Sequence, residues 1–145
     1  MLKRLFGTGL FTAFVLLLAA CAQPTSLPSD NAIRGLERNA HGYADITVEQ
    51  LAAMLEDKDF LLVNVHIPYE GDLPDTDLSI PYDEVADHLD LLPDQDAAIV
   101  LYCRSGGMSA AAARVLADLG YTQLMELNGG FSAWRAAGHP LVHTR

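Results

Sequence analysis

The residues best placed to do chemistry lie together in CRSGGMS, residues 103–109. Five residues suited to a buried strand, AIVLY at 98–102, run into Cys103; two glycines follow, and from Ser109 the alanine-rich run SAAAARVLADL reads as a helix. A strand feeding a Gly-rich turn that opens a helix is an anion site. The first helical amides have no intrahelical acceptor, and the macrodipole favours negative charge there. A cysteine at the head of the turn makes its own thiolate the favoured anion. The chemistry expected is nucleophilic, with Cys103 as catalytic residue and Arg104, Ser105, Gly106, Gly107, Met108 and Ser109 as the anion-binding loop. Amides from Arg104 to Met108 are expected to converge on the sulfur, Gly106 and Gly107 letting the backbone turn its N–H groups inward. Arg104 would add charge at the rim, and Ser105 and Ser109 would supply hydroxyl donors. A free cysteine is often just a small packed hydrophobe, but packing does not explain a Gly-Gly turn at a helix start.

Counting separates this loop from that of cysteine-dependent phosphatases, which hold phosphoryl oxygens with an arginine six residues after the nucleophile. That position here is Ser109, and the nearest arginines are Arg104 and Arg114. The chain has two cysteines, Cys21 and Cys103, so a disulfide must be weighed. The N-terminal stretch decides it. Lys3 and Arg4 precede an apolar run at 10–20 that suits a signal peptide better than a membrane span, and the run ends in LAAC. This resembles the bacterial lipoprotein signal, which implies removal of residues 1–20 and lipidation of Cys21; an ordinary secretory signal or membrane anchor is the plainer alternative. Residues 21–42 then form a lipidated N-terminus and flexible tether, polar and proline-bearing at first, and 43–145 form the domain. The implied location is the cell envelope, lipid-anchored and facing the periplasm, at the outer membrane if there is one, since Ala22 is not an aspartate. With Cys21 so occupied, Cys103 is a lone thiol, neither half of a dithiol centre nor a metal clasp, and neither cofactor nor metal is expected.

The elements that must position Cys103 can be read in order. Thr47 to Gln50 is a capping-box pattern, predicting a helix over 48–56; FLLVNV at 60–65 reads as a strand covered on both faces. A short strand is placed at 78–80, a helix capped by Asp83 over 84–91, strands at 98–102 and 123–127, and helices over 109–119 and 131–137, with Gly120 as a left-handed cap. Alternating strands and helices make an α/β domain with a mainly parallel sheet. The chain is acidic, with nine Lys and Arg against nineteen Asp and Glu and a net charge of −10, which argues against nucleic acid as a partner.

The cysteine loop and its strand, with GGFSAW and AAGHP between Gly129 and Pro140, resemble the single-domain rhodanese (sulfurtransferase) family; LLVNVHIPYE at 61–70 sits where that family has its first signature strand. The resemblance covers roughly 45–141. It implies a three-layer α/β domain with a mainly parallel sheet of about five strands between helices. It also implies transfer of sulfane sulfur from a small sulfur-containing anion such as thiosulfate, or from a persulfide donor, through a cysteine persulfide to a thiol acceptor. A non-catalytic sulfur carrier or docking module on the same fold is the alternative. Several positions depart from the family pattern. Met108 stands where many members carry a second basic residue, Asn64 and His66 replace the usual Asp and Arg, and 71–85 replaces the usual Gly-His-Ile-Pro-Gly-Ala segment. A less cationic rim would suit a bulkier or less charged donor. Of the other polar residues, His66 reads as a structural group at a strand end, Trp134 as a core anchor, and Asp72, Asp75 and Asp77 as a solvated turn and not a cation site.

Overall fold

The structure is a computed structural model and describes residues 35–143. The leader, Cys21 and the first part of the tether lie outside the described residues. Described contacts begin ahead of Tyr43: Leu36 packs against the core, and Asn39 bonds both the Tyr43 carbonyl and the Asp45 carboxylate.

Five strands form one parallel sheet: β1 Ala44–Ile46, β2 Leu61–Asn64, β3 Leu78–Ser79, β4 Ala98–Tyr102 and β5 Gln123–Leu127, in the order β1-β5-β4-β2-β3. The central strands are apolar at nearly every position, so both faces must be covered. Three helices do this: α1 Val48–Leu55, α2 Gly107–Asp118 and α3 Gly130–Ala136. Alternation along β4 sends Ile99 and Leu101, followed by Cys103, toward α2, where Ala112, Ala113 and Leu116 meet them. Val100 and Tyr102 point to the opposite face, against Leu51 of α1 and Phe131 and Trp134 of α3. The small alanines of α2 let it lie close on the strand that ends in the nucleophile. This is the three-layer α/β domain expected.

The capping box forms as read, with Thr47 and Gln50 each accepting the other's backbone N–H. Strands β4 and β5 match the expected ranges. Three segments differ by more than a residue at an end. Strand β1 was not anticipated; with three residues, only two of them buried, it is too short to show a period. The helix expected over 84–91 with its Asp83 cap does not form. Turns occupy that stretch, closed by three-residue bonds from Glu84 N to the Pro81 carbonyl and from Asp87 N to the Glu84 carbonyl, before a single 3-10 turn at Leu89–Leu91. Only Val85 of this acidic segment is buried, so no apolar stripe stabilises a longer helix. Helix α2 begins at Gly107, two residues before the expected start.

Candidate active site

Cys103 follows directly on β4 and forms part of the lining of a cleft of about 320 Å³, together with His66, Tyr82, Arg104, Ser105, Gly107 and Met108. Its side chain is only 2 % exposed. Gly106 N donates to Sγ at 3.1 Å and the Ser109 hydroxyl lies at 3.4 Å. The amides of Ser109 and Ser105 also help to hold the thiol down. Gly106 is the N-cap of α2, in the left-handed region at φ +101°, and its side-chain-less position leaves the capping task open. The Cys103 sulfur lies beside this end of the helix, where it takes the amide of Gly106 itself.

Burial acts to raise the Cys103 thiol, and the Ser109 hydroxyl with the amides of Ser109, Ser105 and Gly106 acts against it; the bonds win, leaving the thiol below its ordinary range. The balance is physically reasonable, since each hydrogen bond to a charged acceptor contributes about 1.5–3 kcal/mol. Of the amides expected to converge, that of Gly106 is hydrogen-bonded to the sulfur. Only Gly106 turns the chain. Gly107 is helical, and a Cβ there would meet no atom within 4 Å.

The loop is braced from behind by α3. Phe131 N donates to the Cys103 carbonyl at 2.9 Å and Ser132 N to the Arg104 carbonyl at 3.0 Å. These bonds fix the two carbonyls on the start of α3. Gly130, at φ +55°, makes the approach possible, because a Cβ there would fall on the Cys103 carbonyl oxygen. The GGFSAW segment therefore belongs to the site through its backbone. Trp134 is the core anchor expected, 3 % exposed, with its indole N–H on the Pro140 carbonyl.

Arg104, expected to add charge at the rim, lines the cleft and is paired there. Its Nη1 donates to Glu70 Oε1 at 3.1 Å, and His66 Nε2 shares the same oxygen at 3.1 Å. The His66 bond, ahead of the Arg104 charge, holds the Glu70 carboxyl below the usual range. His66 is buried, edge-on to Phe131 at 5.3 Å, and set by its backbone N–H on Asn64 Oδ1. Expected as a structural group at a strand end, it in fact lines the cleft beside Cys103, which its sequence position did not reveal. Asn64 also donates to Gly71 O and Asp72 Oδ1, tying down the segment after β2. Asp72 departs from the solvated turn expected: it is 2 % exposed and accepts from Tyr69 and Asn64, whereas Asp75 and Asp77 are exposed and Asp77 pairs with Lys58. Among the described residues, three or more metal-ligating side chains do not gather anywhere.

Two contributing residues were missed. Glu70 is separated from Arg104 by a third of the domain and carries no local signal. Glu126, on β5, accepts the Ser109 hydroxyl at 2.6 Å and is buried. A carboxylate inside the apolar strand LMEL was the signal available.

The Rhodanese-like domain family profile matches residues 47–137. The chain belongs to that family. It is 36% identical over 102 residues to a sulfurtransferase of Allochromatium vinosum, covering 68% of this chain and 94% of the relative. It is 26% identical over 98 residues to the thiosulfate sulfurtransferase GlpE of Pseudoalteromonas translucida, covering 66% and 91%. Among solved structures, a rhodanese-related protein from Thermoplasma volcanium superposes with a TM-score of 0.60 at 26% identity, covering 69% of this chain and 98% of the other. These relatives support a sulfurtransferase-type function in general terms.

Proposed function

We propose that the protein moves sulfane sulfur through a persulfide on Cys103, and that it takes this sulfur from an organic persulfide in preference to thiosulfate. The observation that carries the transfer reading is the sulfur itself, held at a helix N-terminus by inward-facing amides that serve a thiolate and a persulfide anion alike. In the first step the Cys103 thiolate attacks the outer sulfur of a donor RSSH. An S–S bond forms to Cys103, the donor S–S bond breaks, and RS⁻ leaves with its electron pair. In the second, an acceptor thiolate attacks the outer sulfur of the Cys103 persulfide and the Cys103 thiolate departs. Neither step changes the net oxidation state.

The donor preference rests on the rim. Arg104 is engaged by Glu70, while Met108 and Tyr82 present apolar surface to the cleft. A dianion gains little there, and an organic group can pack. The Cys21 leader, by its resemblance to lipoprotein signals, supports a lipid-anchored chain at the cell envelope with donor and acceptor met in the periplasm.

The test is to incubate the full chain with thiosulfate or with a low-molecular-weight persulfide, then follow intact mass and repeated sulfur release to cyanide or a thiol. Expected is the gain of one sulfur atom, lost in Cys103→Ser, with multiple turnovers and faster loading from the persulfide. Equal or faster loading from thiosulfate would overturn the donor preference. Loading without turnover would make the protein a carrier, and absence of loading would remove the transfer reading. Mass spectrometry of the mature N-terminus tests the anchor; a first residue other than a lipidated Cys21 refutes it.

A further inference from the structure

Ser109 has one hydroxyl proton and three acceptors in reach: Glu126 Oε1 at 2.6 Å, the Gly106 carbonyl at 3.2 Å and Cys103 Sγ at 3.4 Å. The proton can serve one of them well. Glu126 is 4 % exposed and lies under the loop, its Oε1 3.3 Å from where a Cβ on Gly106 would stand. The groups facing it carry no compensating positive charge. Asp45 is its register partner on β1, apolar Leu101 is its partner on β4, and Ser109 and Cys103 face it from the loop and α2. The ion pairs among the described residues do not include Glu126.

We propose that Glu126 is a positioning residue for the nucleophile, acting through Ser109. Protonated, it donates to Ser109 Oγ and frees the hydroxyl proton for Cys103 Sγ; ionised, it takes that proton for itself and withdraws the donor from the sulfur. The environment makes the protonated form accessible: burial pushes the Glu126 carboxyl up, opposed by the Ser109 bond and assisted by the Asp45 charge. Under this proposal the carboxylate and the thiolate compete for one hydroxyl proton, so their titrations are linked through Ser109.

The inference rests on Cys103 being the reactive sulfur. Its test reads thiol ionisation and needs no sulfur transfer, so its outcome is separate from that of the transfer reading. Thiolate absorbance of the full chain is followed against pH for wild type, Glu126→Gln, Ser109→Ala and the double variant. In Glu126→Gln the side-chain amide donates to Ser109 at every pH, so the thiol midpoint is expected to fall by about one pH unit. In the Ser109→Ala background the same change is expected to move it by about half as much or less. An unmoved midpoint in Glu126→Gln, or an equal shift with and without Ser109, overturns the proposal. Should Glu126→Gln not fold, wild type still answers: its thiolate signal must rise over a wider pH span than one group gives, and a single-group curve refutes the coupling.

Discussion

Cys103 sits where the turn opens helix α2. Its sulfur needs donors to exist as an anion, and it finds the amide of Gly106, the N-cap residue, at 3.1 Å and the Ser109 hydroxyl at 3.4 Å. These bonds exist only in the folded chain, so the ionisation of the nucleophile is linked to folding. A thiol held below its ordinary range in the folded state binds fewer protons than the same thiol unfolded, in the interval between the two midpoints. Stability must then rise with pH across that interval, up to about pH 8.5, and the gain is lost as pH falls through the folded midpoint. The expected outcome is a wild-type advantage over Cys103→Ser that appears only above the folded thiol midpoint. It should amount to about 1.4 kcal/mol for each pH unit of depression, as read by urea unfolding at a series of pH values. A difference that does not change with pH would mean that these bonds are no stronger to a thiolate than to a thiol.

At the scale of elements, the site is a junction of β4, α2 and the N-terminus of α3. The last of these is short, yet its two leading amides fix the carbonyls of Cys103 and Arg104. Gly130→Ala would drive a methyl into that contact and force α3 off the loop. The expected result is a destabilisation of about 2–4 kcal/mol, with loss of thiol reactivity larger than the loss of fold, measured by alkylation rate on the fraction still native by circular dichroism. Much of this junction is legible in the sequence. AIVLY and QLMEL are uniform enough to be read as buried strands with correct ends, and CRSGGMS announces a nucleophile loop through its residue types alone. Less legible are features made between distant segments. Glu70 meets Arg104 only because β2 and β4 are neighbours in the sheet, and β1 exists only because β5 offers it an edge. The missed turn at 82–87 has the opposite cause. Asp83, Glu84 and Asp87 imitate a helix start, but one buried residue, Val85, cannot stabilise a helix that has no stripe to bury.

Over the whole molecule, the net charge of −10 surrounds a cleft whose one arginine is already paired. An anionic donor thus approaches against the overall field, and salt should help it by screening. The expected signature is a second-order loading rate that increases with ionic strength for thiosulfate and stays nearly flat for an uncharged organic persulfide. A thiosulfate rate that falls with salt would show a local attraction stronger than the global repulsion. The bracing of the loop by α3 has a further effect on traffic. With Phe131 and Ser132 amides closing the back of the turn, the sulfur faces the cleft that Cys103 helps to line. Under the proposed transfer, arrival and departure share it. The donor's spent half must leave before the acceptor can come in, so the architecture itself makes the exchange take turns.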